Sequence, residues 1–198
     1  MVRDINRFIK VRDENIFFDL FGTDAWKNML NLNEKREQPL INLYREQLHK
    51  AANVKFSSIF RVCSTEKRQT LYYLIHATNN LKGHNIMKNI MYNHDETHDF
   101  AYLGPNEINK YQIPLFNLDS DIISQSKDYL LKKFTKQSLS FDKIMEDVCS
   151  PWQEEPPFIE KNYREALKAL EEEKKIMIIR VSSKTARGLS GDDNIKFP

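Results

Sequence analysis

Residues 70–80 read TLYYLIHATNN, an apolar run that stops at Thr78-Asn79-Asn80. A strand packed on one face alternates apolar and polar side chains. Here Leu71, Tyr73, Ile75 and Ala77 fall on one side, and Tyr72, Leu74 and His76 on the other. Both sides ask to be covered, which is the habit of interior strands in α/β sheets. The preceding NVKFSSIFRVCS (53–64) also has a strand period, with Val54, Phe56, Phe60 and Val62 opposite Ile59 and Cys63. The polar TEKRQ (65–69) joins the two as an antiparallel hairpin. A lone hairpin is marginal and cannot cover both of its own faces. Residues 1–115 are therefore expected to be the trailing end of a larger α/β domain, or to be completed by another chain.

Helical periods surround the hairpin. FFDLFGTDAWKNML (17–30) carries large apolar side chains around Gly22, with Thr23 or Asp24 placed to cap the helix that follows. QPLINLYREQLHKAA (38–52) sets Leu40, Ile41, Tyr44, Leu48 and Ala52 on one face, against Arg45, Glu46, Gln47 and Lys50. Asn79 or Asn80 is placed to cap LKGHNIMKNIMY (81–92), whose expected buried side is Ile86, Met87, Ile90 and Met91. HDETHDFAYLGPNEINKYQIP (94–114) reads as an irregular connection leading to a domain boundary near residue 115.

The last third, 116–198, has a different plan. NLDSDIISQSKDYLLKKF (117–134) is a helix with Ile122, Ile123, Leu130, Leu131 and Phe134 inward. Ser140 can cap FDKIMEDVC (141–149). After the proline-rich SPWQEEPPF (150–158), a third helix buries Ile159, Tyr163, Ala166, Leu167 and Leu170 at i, i+3, i+4, i+7 spacing. KKIMIIRV (174–181) and NIKF (194–197) are strands about a glycine-bearing loop. Three helices followed by a hairpin is the order of a winged helix. The expected fold class is thus α+β: helices around a β-hairpin in 1–115, then a winged-helix domain in 116–198.

Composition narrows the function. Of 198 residues, 40% are hydrophobic and 29% charged, an ordinary globular balance, and the net charge of +2 points to no partner by itself. Cys63 and Cys149 are too few for a disulfide framework or a zinc ribbon, which suits a reducing, cytoplasmic setting. No run approaches the roughly 20 apolar residues of a membrane span. The five glycines form neither G-x-G-x-x-G nor a P-loop, so no phosphate cradle of that kind is expected.

Three segments together resemble one family: LFGTDAW (20–26), LYYLIHATNNLKGHNIMKNIM (71–91) and YREALKALEEEKKIMIIRVSSKTARGLSGDDNIKF (163–197). In that order they resemble the C-terminal part of a three-Cys-motif partner protein, a methyltransferase-like domain followed by a winged helix. NRF (6–8) is similar to the region just after a central strand of that family's sheet. The resemblance implies that TLYYLIHAT is the last strand of a seven-stranded sheet. It also implies a partner with three clustered cysteines and, for a full-length parent, S-adenosylmethionine. The family's glycine-bearing cofactor segment and acidic strand ends have no counterpart here, so no catalytic or cofactor residue carries over. This chain is expected to be non-catalytic by itself.

The candidate nucleic-acid residues lie in the winged segment. Lys161, Arg164 and Lys168 make one stripe on the third helix. Glu160, Glu165, Glu171 and Glu172 flank it, and Glu160–Arg164, Lys161–Glu165 and Lys168–Glu172 are i, i+4 pairs, so a solvated ion-paired face explains the same residues. Residues 140–198 hold ten Lys and Arg against twelve Asp and Glu. The wing is more distinctive: Lys174, Lys175, Arg180, Lys184 and Arg187 occur across 174–187 without an acid. Basic side chains on a hairpin tip suit phosphate contact. The alternatives are a protein-interaction module and a stand-alone winged-helix regulator that forms a homodimer through the exposed hairpin edge. HDETH sets His94 and His98 at i, i+4, but Asp95 stands where a metalloprotease base would be Glu and no third ligand is assigned; a solvated loop is the reading.

Overall fold

The structure, a computed structural model, describes residues 15–29, 37–64, 70–95, 100–102, 118–150, 155–181 and 188–198. The chain divides into two units, residues 1–108 and 109–198. No helix among the described residues is long and apolar enough to cross a membrane.

In the first unit, α1 (Asn15–Phe21), α2 (Trp26–Met29) and α3 (Glu37–Lys50) enclose an aromatic cluster. Phe17, Phe21, Trp26, Leu40 and Leu43 are buried together, and the Phe17 and Trp26 rings lie 4.9 Å apart. The turn at Gly22 (φ +62°) is left-handed, a conformation glycine adopts at little cost. Thr23 Oγ1 then accepts from the Ala25 N–H at 3.3 Å as α2 begins.

The hairpin forms as its alternation predicts. β1 (Phe56–Cys63) and β2 (Thr70–Thr78) pair antiparallel from Phe56↔Thr78, through Ile59↔Ile75, to Val62↔Tyr72, with an irregularity at Val62/Cys63. A third strand, β3 (Ala101–Tyr102), pairs parallel with β1, giving the order β2-β1-β3. It lies inside the stretch read as irregular, where two residues are too few to show a period.

Helices cover both faces of β1, because successive side chains point to opposite sides. On one face the buried Arg45 of α3 donates from Nε to Ser57 Oγ at 3.0 Å and from Nη2 to the Ser57 carbonyl at 2.5 Å. On the other, the fully buried His84 of α4 (Leu81–Asn93) meets Ser58 Oγ at 3.3 Å and stacks near Phe56. Two expectations need correction here. Arg45 is buried on the sheet and not on the solvent side of its helix, because Ser57 offers it two acceptors. The inward face of α4 is His84, Lys88 and Met91, with Met87 half-buried, whereas Ile86 (52% exposed) and Ile90 (47%) face out. Asn80 caps this helix by accepting from the Gly83 N–H at 3.1 Å, and the His84 contacts set its phase.

Among the described residues β2 pairs only with β1, so the strand whose two faces asked for cover stands at an edge of this sheet, with Leu71, Tyr72 and Leu74 about half exposed.

The second unit comprises α5 (Leu118–Lys133), β4 (Ser138–Ser140), α6 (Phe141–Cys149), α7 (Glu160–Glu172), β5 (Met177–Ile179) and β6 (Asn194–Lys196). Ser140 caps α6 by accepting from the Lys143 N–H at 3.3 Å. All five apolar residues expected on the inner side of the third helix are buried, with Ala166, Leu167 and Leu170 at 0% exposure. The sheet has three strands and not two, ordered β4-β6-β5. β4 is a Ser-Leu-Ser segment with one inward side chain, Leu139, opposite Ile195, so it carries little periodic signal of its own.

Candidate nucleic-acid interface

The inner face of α7 fixes its outer face. Tyr163 packs edge-on against Phe158 with centroids 5.8 Å apart, and burial pushes its phenol well above the usual range. The buried Asn162 accepts from the Ile159 N–H at 2.9 Å at the start of the helix. Lys161, Glu165, Lys168 and Glu172 are thereby left in solvent, alternating in sign.

The predicted basic residues divide by what they touch. Arg164 is engaged inside the unit: its Nε donates to Glu160 at 2.8 Å, its Nη1 to the Leu189 carbonyl at 2.5 Å, and its guanidinium lies 4.1 Å from the centre of the Phe141 ring. It ties α7 to the returning arm of the wing and to the start of α6. Lys161 stands 3.8 Å from Glu165, an exposed pair of little energetic consequence. Two of the three i, i+4 pairs read from the sequence therefore form, Glu160–Arg164 and Lys161–Glu165.

Arg180 makes a two-pronged contact with Glu171, and this bonding holds the Glu171 carboxyl below the usual carboxylate range. Lys175 reaches Glu173 at 2.9 Å, and Lys127 of α5 also bonds Glu173; both contacts depress that carboxyl. Lys168 and Lys174 are exposed and make no ion pair among the described residues. Lys174 ends α7 in the left-handed region (φ 57°), with its own N–H donating to the Glu171 carbonyl and the next N–H, of Lys175, to Leu170. Lys184 and Arg187 lie outside the described residues, as does His98 of the HDETH stretch.

Asp193 organises the wing, and sequence reasoning missed it. It is fully buried, and its carboxylate accepts from the Val181 N–H at 2.9 Å and the Ser190 N–H at 2.7 Å. Its own carbonyl accepts from the Phe141 N–H at 3.0 Å. The two ends of the wing are thus clamped at one side chain. The available signal was an acid two residues after a glycine, at the return into β6.

Beside the charges lies an apolar ridge. Met177 and Ile179 on the edge strand β5, and Val181 two residues beyond it, are more than half exposed, while Ile178 points inward against Ile195. Gly22 follows α1, and Gly83 lies in the first turn of α4, just after β2.

No curated protein and no solved structure matches the chain. Residues 104–183 match the family model described as GMT-like wHTH domain. The sheet extends past that match, because its central strand β6 spans Asn194–Lys196. With three helices, a three-stranded sheet and a clamped wing, the second unit is a winged-helix domain.

Proposed function

We propose that the winged-helix domain holds a nucleic-acid duplex by its phosphates, using the end of α7 and the wing. The observation that carries this reading is the pair Lys168 and Lys174, exposed and without ion pairs among the described residues, at the end of the helix that leads into the wing. Lys184 and Arg187 extend the same acid-free run in sequence. Phosphate contacts need charge within reach and carry no base code. Base reading by α7 has less support, since Lys161 and Arg164 are paired with acids and Arg164 is committed to the Leu189 carbonyl.

In this reading the chain is a non-catalytic, cytoplasmic C-terminal module of a methyltransferase-like three-Cys-motif partner protein. That part rests on the resemblance of residues 20–26, 71–91 and 163–197, and a protein with three clustered cysteines is the partner it implies. The two-sided helical cover of β1 is consistent with an α/β domain in front of the winged helix.

A second reading, protein docking, is favoured by the exposed ridge Met177, Ile179 and Val181. Labelled DNA and RNA duplexes titrated across a salt series distinguish the two. Wild type is compared with Lys168→Ala/Lys174→Ala/Lys184→Ala/Arg187→Ala. The expected result is weaker binding and a log–log salt slope smaller by about 0.9 per lost phosphate contact. Absence of binding by wild type at low salt overturns the nucleic-acid reading and leaves the ridge as the functional surface.

A further inference from the structure

Tyr163 turns a hydroxyl into the interior of the winged-helix domain. The residue is 1% exposed, and its hydroxyl has no hydrogen-bond partner among the described residues. A buried hydroxyl normally finds one. Its aromatic neighbours do not supply it. Phe158 is apolar, and the Tyr129 hydroxyl is already bonded to Lys133 Nζ at 3.0 Å. The other groups around the phenol are Cys149, the last residue of α6, and Glu155, in the segment that leads into α7. After burial itself, the charges that oppose ionisation of the phenol are those of Cys149, Tyr129 and Glu155, all acids. The Cys149 thiol is buried, and its Sγ lies within 4.8 Å of a Glu155 carboxylate oxygen. Glu155 is half-buried, so the cluster is reached from solvent on its side.

We propose that Cys149 and Glu155 bind a zinc ion, with a water on the ion hydrogen-bonded to the Tyr163 hydroxyl. Zinc holds a thiolate at about 2.3 Å and a carboxylate oxygen at about 2.0–2.2 Å, so one ion can touch both. Thiolate is a soft ligand that suits zinc, whereas magnesium and calcium take oxygen ligands. On binding, the Cys149 S–H gives its proton to solvent, and the thiolate and carboxylate then balance the two positive charges of the ion. The remaining coordination positions go to water, and one such water gives the phenol the partner it lacks. The ion braces the end of α6 to the segment that starts α7. The proposal uses none of the basic residues of α7 or the wing, so it is independent of the nucleic-acid reading.

The test uses the full chain, stripped of metal by a chelator and dialysed. Zinc is titrated by calorimetry and cobalt(II) by absorbance, since a thiolate on cobalt gives a charge-transfer band that carboxylates and imidazoles do not. The expected result is one cobalt per chain with that band, displaced by zinc. Cys149→Ala should abolish the band, while Cys63→Ala, at the other buried cysteine, should keep it. Tyr163→Phe removes only the hydroxyl and should weaken zinc binding about 10-fold, as loss of an outer-shell partner does. Glu155→Gln loses a ligand and should weaken it further, with the circular dichroism spectrum unchanged. Zinc should raise the melting temperature of wild type and leave that of Glu155→Gln where it was. The half-buried Glu155 keeps the proposal testable even where Cys149→Ala does not fold. Three results would each overturn it: no zinc or cobalt bound by wild type, a band that survives Cys149→Ala, and a zinc affinity unmoved by Glu155→Gln. Cobalt held without the band, as histidines elsewhere would hold it, also counts against it.

Discussion

Arg180 lays its two terminal nitrogens against the two oxygens of Glu171, at 2.7 and 2.6 Å. The contact joins the last turn of α7 to the foot of the wing, and both side chains are under one-third exposed. Hydrogen bonding by Arg180 is the main cause of the lowered Glu171 pKa. A carboxyl lowered in the folded state contributes stability above its unfolded value, about 4.3, and loses it as pH falls through the folded value. Glu171→Gln should therefore cost about 1 kcal/mol at pH 7. The gap from wild type should close towards pH 3 in thermal unfolding. A gap constant from pH 7 to pH 3 would contradict this account. Glu173, lowered by Lys127 and Lys175, leaves the variant some acid sensitivity of its own.

Asp193→Ala strands the Val181 and Ser190 N–H groups beside a buried methyl. With the two unpaired donors costing about 1–3 kcal/mol each, the loss should be roughly 2–6 kcal/mol. Amide exchange at Val181 should quicken more than at Leu170, which lies in the core of α7. Equal exchange at both sites would show that the clamp is not local.

Lys174 stands where glycine is favoured. Removing a side chain from a left-handed position should stabilise the fold by about 1 kcal/mol. Lys174→Gly should thus raise the melting temperature while weakening duplex binding and flattening its salt slope. Higher stability with unchanged binding would remove Lys174 from the interface.

Arg45→Met removes two hydrogen bonds to Ser57 and leaves a buried carbonyl with a lost partner, so a cost of about 2–3 kcal/mol is expected. Arg45→Lys should not restore it, because an ammonium cannot reproduce the fork. The neighbouring His49 is lowered by burial first and by the Arg45 charge second. Its imidazole should therefore titrate at a higher pH in Arg45→Met, as read by NMR of the ring protons. An unmoved titration would show that burial alone sets it.

Much of this was legible in the sequence because it is periodic and local. The hairpin, the Ser140 cap and the inner face of α7 each follow from side-chain spacing or from one capping residue and its next turn. The three-residue β4 and two-residue β3 are too short for a period, and each exists only through its partner strand. The same limit explains α4, where Ile86 and Ile90 seemed the natural core by hydrophobicity. The buried His84 is chosen by Ser58 and Phe56, some 26 residues away. In the candidate interface, sequence spacing named the basic residues of α7 and the wing but could not separate those held by acids from those left in solvent. Arg164 and Arg180 became internal struts because Leu189, Phe141 and Glu171 fold within their reach, while Lys168 and Lys174 kept their charge for solvent. Sequence by itself therefore determined the elements and their apolar faces, since those depend on neighbours three or four residues apart. Tertiary structure alone decided which charges are free, because an ion pair depends on distances that only the closed chain sets.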